Sequence, residues 1–161
     1  MTQSAETALD ANAIPRVDID FMNHTHAEEM EMVITLSNLI TIYMQSDSKT
    51  DDQKQGITQA LENWLQHTQA HFSRENALMK EVQFPPYSMH AGEHESTLEK
   101  MTSIVNEWKL NNDIKSVENF VFNAWPTWFE AHISTMDMMT AKFAVMAGYD
   151  PQSLPNKITE E

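Results

Sequence analysis

Cysteine is absent from this chain of 161 residues, which excludes disulfides, thiolate metal sites and thiol redox chemistry together. Histidine and carboxylate side chains therefore remain as the strong metal ligands. The first residues form no basic and apolar leader, and no apolar run approaches the roughly 20 residues that cross a membrane. We expect a soluble, cytoplasmic protein from these absences.

Glycine and proline are also scarce, with 3 and 6 residues respectively, and long stretches contain neither. Such a composition favours helices over the glycine-punctuated strands of a sandwich or a barrel. Apolar residues make up 41% of the sequence, which is enough for one domain with a sizeable core. We therefore predict a single all-α domain.

Basic residues are few, since 10 Lys and Arg stand against 24 Asp and Glu, for a formal net charge of −14. A charge of this sign repels nucleic-acid phosphates and anionic lipid surfaces, and no basic cluster offsets it locally. Neither nucleic acid nor a membrane is an expected partner.

Apolar residues recur every three or four positions in four segments, which predicts four amphipathic helices. Their approximate bounds are 18–45, 51–82, 86–110 and 114–147. Helices joined by short turns pack most simply as an up-down-up-down antiparallel four-helix bundle. The predicted organisation is an N-terminal arm at 1–17, the bundle at 18–147 and a polar C-terminal tail at 148–161.

Local signals support the helix ends and mark one irregularity. Thr50 and Gln53 have the spacing of a capping box, and Gly148 is suited to end the fourth helix. Pro126 lies inside that helix, where it is expected to free the carbonyl of Phe122 and kink the chain at a cost of about 3 kcal/mol.

Several histidines are predicted to lie at one height in the bundle. In an antiparallel pair of helices, residues equidistant from the connecting turn stand opposite each other. His94 and His132, for example, are equidistant from Asp113 in the third turn. The same construction across the other two turns completes the set, which is His26, His71, Glu75, His90, His94 and His132.

The side chains at this height are also predicted to face the same centre, with one exception. His71 with Glu75, and His90 with His94, are four residues apart, so each pair faces one way on an apolar stripe. Asp137 follows His132 by five residues, which leaves the two about 140° apart on an α-helix. Asp137 reaches the same centre if that centre is wide enough for two metal ions.

The donor set points to first-row metals. Buried without a metal, these polar groups would cost about 1 to 3 kcal/mol each in unmade hydrogen bonds. Five imidazoles and two carboxylates suit iron, and seven ligands exceed what one zinc ion takes. The Glu-x-x-His pairs of ferritin-like di-iron proteins do not occur in the sequence. His24 belongs to a solvated face. His67 could support the metal ligands, pack in the core or lie at the surface, and the sequence does not decide among these three.

The segments HTHAEE, HFSRE, FPPYSMHAGEH and WFEAHISTMD together resemble the hemerythrins, in particular the bacterial ones. The resemblance implies a cofactor of two Fe ions (Fe2+/Fe3+) with an oxo or hydroxo bridge. It assigns His90, His94 and His132 to one iron, His26 and His71 to the other, and Glu75 and Asp137 to both as bridges.

The resemblance also implies reversible O2 binding. The iron with two histidines would keep an open position, where O2 is held as hydroperoxide while both irons pass from ferrous to ferric. NO or other small anions are further ligands of such a site. Trp128, Phe129, Ile133 and Met136 are expected to line the pocket. Family members usually carry a smaller aliphatic residue in place of Phe129, so this ring is expected to narrow the pocket.

An oxygen carrier, store or scavenger, rather than an enzyme, is the leading hypothesis, and three alternatives stay open. The same site could report O2, NO or redox state to a separate docking protein. It could instead reduce peroxide or NO enzymatically. A metal-free phosphotransfer module would require a solvent-facing histidine with basic neighbours.

Overall fold

The chain forms four long helices in a computed structural model that describes residues 9–155. They are α1 (Asp20–Gln45), α2 (Asp51–Glu81), α3 (Tyr87–Asn111) and α4, which runs from Ile114 to Met146. Short turns connect them, so neighbouring helices run antiparallel, and no strand occurs within residues 9–155. The prediction of an all-α, up-down-up-down four-helix bundle is confirmed.

The helix ends follow the local signals in the sequence. The hydroxyl of Thr50 accepts from the backbone N–H of Gln53 at 3.1 Å, and the Gln53 side chain accepts from the backbone N–H of Thr50 at 3.0 Å. Asn112 closes α3 in the left-handed conformation, with φ 51°. Gly148 follows α4 with φ 96°, a conformation that glycine adopts without a Cβ clash. These features mark the start of α2 and the ends of α3 and α4.

The arm before α1 is packed against the bundle over the part that the structure describes. Val17 and Ile19 are buried, and Asn23 in α1 both donates to the carbonyl of Val17 and accepts from its N–H. The N–H of Asp20 donates to the carbonyl of Pro151 at 2.8 Å, which joins the start of α1 to the C-terminal segment. Residues 1–8 of the predicted arm and 156–161 of the predicted tail lie outside the described residues.

The core consists of the apolar stripes that the four helices turn inward. Its largest fully buried side chains include Trp64, Trp108 and Trp125. Trp64 packs edge-on against Trp125, with ring centroids 5.5 Å apart. Of the helices in residues 9–155, none combines the length and apolarity that crossing a bilayer requires.

Helix α4 is continuous but alternates between two kinds of turn. Its α segments are Ile114–Asn119, Trp125–His132 and Met138–Met146, and its π segments are Phe120–Ala124 and Ile133–Asp137. The first π turn ends at Ala124, and Pro126 falls in the opening turn of the following α segment. The π turn has therefore already interrupted the regular α-helical hydrogen-bond pattern before Pro126, which lacks an N–H. The backbone stays helical through Pro126.

The second π turn corrects an expectation about Asp137. In this turn the N–H of Met138 donates to the carbonyl of Ile133, five residues earlier. A π turn contains one residue more than an α turn, so a residue five positions along takes the direction that one four positions along has in an α-helix. The expectation that Asp137 is rotated away from His132 is therefore wrong, because Asp137 Oδ1 lies 3.2 Å from His132 Nε2.

Candidate metal centre

All four helices contribute side chains to one buried cluster. Helix α1 supplies one histidine, α2 a histidine and a glutamate, α3 two histidines, and α4 a histidine and an aspartate. The structure brings together all seven predicted residues, each at most 3% exposed: His26, His71, Glu75, His90, His94, His132 and Asp137.

The ligand atoms of the cluster fall into two overlapping groups. The three-histidine group consists of Glu75, His90, His94, His132 and Asp137, and the two-histidine group of His26, His71 and Glu75. Within each group all ligand atoms lie within 4.8 Å of one another. These distances are compatible with two neighbouring metal centres of unequal histidine content.

The Glu75 carboxylate lies between the two groups. Its Oε2 is 2.7 Å from His71 Nε2 in the two-histidine group. Its Oε1 is 3.2 Å from His94 Nε2 in the three-histidine group. One carboxylate thus directs an oxygen to each side.

Asp137 repeats this arrangement from the opposite side of the bundle. Its Oδ2 is 2.9 Å from His26 Nε2, and its Oδ1 is 3.0 Å from His90 Nε2. The π turn in α4 is what presents both oxygens to the cluster, since it turns Asp137 onto the face of His132.

The donor atoms fit a pair of metal ions. Metal–ligand bonds of about 2.1 Å at right angles place neighbouring donors about 3.0 Å apart. His132 Nε2 lies 3.2 Å from the Nε2 atoms of both His90 and His94, close to that separation. His26 Nε2, Glu75 Oε1 and both Asp137 oxygens are buried and, although they lie close to other donor atoms of the cluster, none of them forms a hydrogen bond of acceptable geometry. A cation would satisfy these lone pairs.

Further side chains orient the histidines of the three-histidine group from behind. Each ring directs Nε2 to the cluster and Nδ1 to an oxygen that can accept its proton, which leaves the Nε2 lone pair free. The pairs are His90 with Thr140 at 2.7 Å, His94 with Asn76 at 2.9 Å and His132 with Glu93 at 3.1 Å. Sequence reasoning missed these three partners.

Aromatic rings cover the cluster on two sides. Trp128 stacks on His132 with centroids 4.5 Å apart, and Phe129 meets the His26 ring edge-on at 5.7 Å. Of the other predicted lining residues, Ile133 is fully buried and Met136 half-buried.

Sequence reasoning missed Phe72, which stacks on the His94 ring at 4.0 Å. It also missed Glu29, a buried acid on α1, although one signal was available. Glu29 stands three residues after His26 on the apolar stripe of α1, where a lone carboxylate is unexpected.

The electrostatics of the cluster couple its acids to its histidines. Burial lowers the pKa of His71, but the charges of Glu75 and Glu29 outweigh it and raise that pKa to about 10. Burial raises the pKa of Glu75, yet the charge of His71 and its hydrogen bond with Glu75 hold that pKa well below its usual range. The metal-free site at neutral pH therefore contains ionised carboxylates and a protonated His71.

Metal uptake at pH 7 is expected to release protons, because His71 with its pKa of about 10 must lose a proton to coordinate. Zinc added to metal-free protein in weakly buffered solution with a pH indicator measures this release. A His71→Ala variant should release fewer protons per ion bound, and the difference should shrink as the pH rises toward 10. Equal release by the two proteins at pH 7 would contradict the expectation.

Comparisons with known proteins agree with this geometry. The family model of the hemerythrin HHE cation binding domain matches residues 17–144. A bacteriohemerythrin of Aquifex aeolicus is 27% identical over 131 residues, which are 81% of this chain and 93% of that protein. A bacteriohemerythrin of Ralstonia nicotianae is 30% identical over 100 residues, 62% of this chain and 72% of that protein. No solved structure matches the chain significantly.

Proposed function

The chain belongs to the hemerythrin family, and on this premise we propose that it binds O2 reversibly at a pair of non-haem iron ions. The observation that carries the proposal is the placement of Glu75 and Asp137, each of which directs one oxygen to each histidine group. Two carboxylates so placed suit two adjacent cations better than one, because both oxygens of each are then satisfied.

In the proposed centre each iron has a different protein environment. His90, His94 and His132 would hold one ion and His26 and His71 the other. An oxo or hydroxo group would complete the pair. With both carboxylates shared, the two-histidine side receives one protein donor fewer. An ion held on that side would therefore have room for an external ligand. An iron pair that passes between Fe2+ and Fe3+ supplies the redox chemistry for O2 binding.

The chain itself contributes shielding around the two-histidine group. Phe129 lies against His26, and Trp125 backs it in a stacked pair with centroids 4.4 Å apart. Both side chains are almost fully buried. An apolar wall of this kind would keep water away from the two-histidine group and favour small ligands such as O2 or NO. The cysteine-free sequence remains the basis for proposing a cytoplasmic location.

Anaerobic reconstitution with Fe2+ followed by O2 tests the proposal. We expect about two irons per chain, a visible absorption band on addition of O2, and loss of that band when O2 is removed. Zinc-loaded protein is the control and should stay colourless. A protein that binds fewer irons, or that never responds to O2, would contradict the proposal. Steady consumption of added peroxide or NO would favour an enzyme over a carrier.

A further inference from the structure

Glu29 is a buried carboxylate that stands outside both histidine groups. It lies on α1 and is 1% exposed. Its Oε1 accepts from the indole N–H of Trp64 at 2.9 Å and from the hydroxyl of Thr68 at 2.7 Å. Two donors on α2 therefore hold the carboxylate in one orientation.

The second oxygen of Glu29 faces the back of a metal-ligand candidate. Glu29 Oε2 is 3.2 Å from His67 Nε2 and 3.7 Å from His71 Nδ1. His71 meanwhile directs its other nitrogen, Nε2, to Glu75 inside the cluster. At 3.7 Å the contact is longer than a hydrogen bond and acts through charge, which favours the His71 tautomer with its proton on Nδ1.

The negative charge of Glu29 acts on the two-histidine side of the cluster. The Nδ1 atoms of His90 and His94 face the neutral oxygens of Thr140 and Asn76. His132 faces Glu93, but that carboxylate is 36% exposed and is therefore screened by water. Glu29 is the fully buried acid behind a ligand, and it stands behind the two-histidine group.

We propose that Glu29 is a positioning residue for the two-histidine group. Held by Trp64 and Thr68, it fixes the His71 tautomer in which the Nε2 lone pair points to the metal, and it adds negative charge to that side alone. His67 Nε2 lies 3.2 Å from the same oxygen. The inference rests on the proposed metal function and deepens it, because it makes the two ions unequal through a residue that binds neither.

A Glu29→Gln variant tests this role with little change in shape. The amide carbonyl can still accept from Trp64 and Thr68, which places the amide NH2 toward His71 Nδ1. That NH2 donates, so the His71 proton is driven to Nε2, where it opposes metal binding. We expect about 10- to 100-fold weaker binding of one of two zinc ions, with the other unchanged.

The tautomer itself provides a readout that is independent of affinity. Nitrogen-15 NMR of the zinc-loaded proteins distinguishes a protonated Nδ1 from a protonated Nε2 in His71. The wild type should show Nδ1–H, and the glutamine variant should lose it. Glu28→Gln is the matched control, since Glu28 is an exposed neighbour on α1 paired with His24, and the same charge is removed. This control should match the wild type.

The outcomes separate the inference from the proposed function. A wild-type protein that binds no pair of ions overturns the metal proposal itself. If the wild type binds two ions and Glu29→Gln binds them equally well with the same His71 tautomer, the positioning role is wrong. Should the glutamine variant fail to fold, Thr68→Val loosens the carboxylate without changing its charge. A smaller weakening of the same ion is then expected, and unchanged binding overturns the inference.

Discussion

Replacing Glu75 with alanine is expected to weaken the binding of both proposed iron ions by more than about 100-fold. This exceeds the effect typical of a residue that only contacts a metal ligand. Glu75 belongs to both histidine groups, so the change removes a donor from each ion at once. It also leaves His71 Nε2 without the oxygen that lies 2.7 Å away. Iron content after reconstitution and desalting measures the loss, and the response to O2 should disappear with it.

Two further variants show whether the shared carboxylate is the cause. Glu75→Gln keeps the volume but has a single amide oxygen, so we expect it to retain more iron than the alanine variant and less than the wild type. Glu62→Ala removes a carboxylate from the exposed side of α2, where it pairs with Lys109. That change should cost at most about 1 kcal/mol of stability and leave the iron content unchanged. A Glu75→Ala protein that keeps two irons would refute the bridging assignment.

Deleting Ser134 is expected to preserve the metal site. Ser134 is exposed and lies within the π turn Ile133–Asp137. Because a π turn is an α turn with one residue inserted, the deletion leaves regular α-helix with His132 and Asp137 four residues apart. Both side chains then keep one face, and the shortened chain should bind metal with the wild-type stoichiometry.

Deleting Glu130 should have the opposite result and serves as the comparison. Glu130 is equally exposed but lies in the α segment Trp125–His132, which contains no extra residue. Its loss turns the flanking parts of the helix by about 100° relative to each other. Whichever flanking segment rotates, His132 changes its position relative to Phe129 or to Asp137. Metal binding should therefore be lost. If both deletion variants lose metal to a similar extent, the π turn does not correspond to an α turn with one inserted residue.

Local sequence patterns were sufficient to predict the bundle and the meeting of its histidines. Helix periodicity, the capping box at Thr50 and the turn before α3 each depend on a few neighbouring residues. Once the turns are placed, antiparallel packing dictates which residues share a height. For this reason His94 and His132 could be paired from their distance to Asp113 alone.

The orientation of Asp137 could not be predicted in the same way. A spacing of five residues implies opposite faces on an α-helix, and no residue in the segment His132 to Asp137 signals a π turn. The π turn is a rare conformation with little local preference. It persists here where Asp137 is held between His26, His90 and His132, contacts that come from three helices.

By itself, then, the sequence determined that four helices form, where they end and which histidines lie at one height, because those features depend on short-range spacing. The tertiary structure decided which nitrogen each histidine turns inward, that each carboxylate faces both groups, and that Glu29 backs His71. These features depend on contacts between residues far apart in the chain. Their geometry exists only after the helices have packed, and it gives the two sides of the cluster their different character.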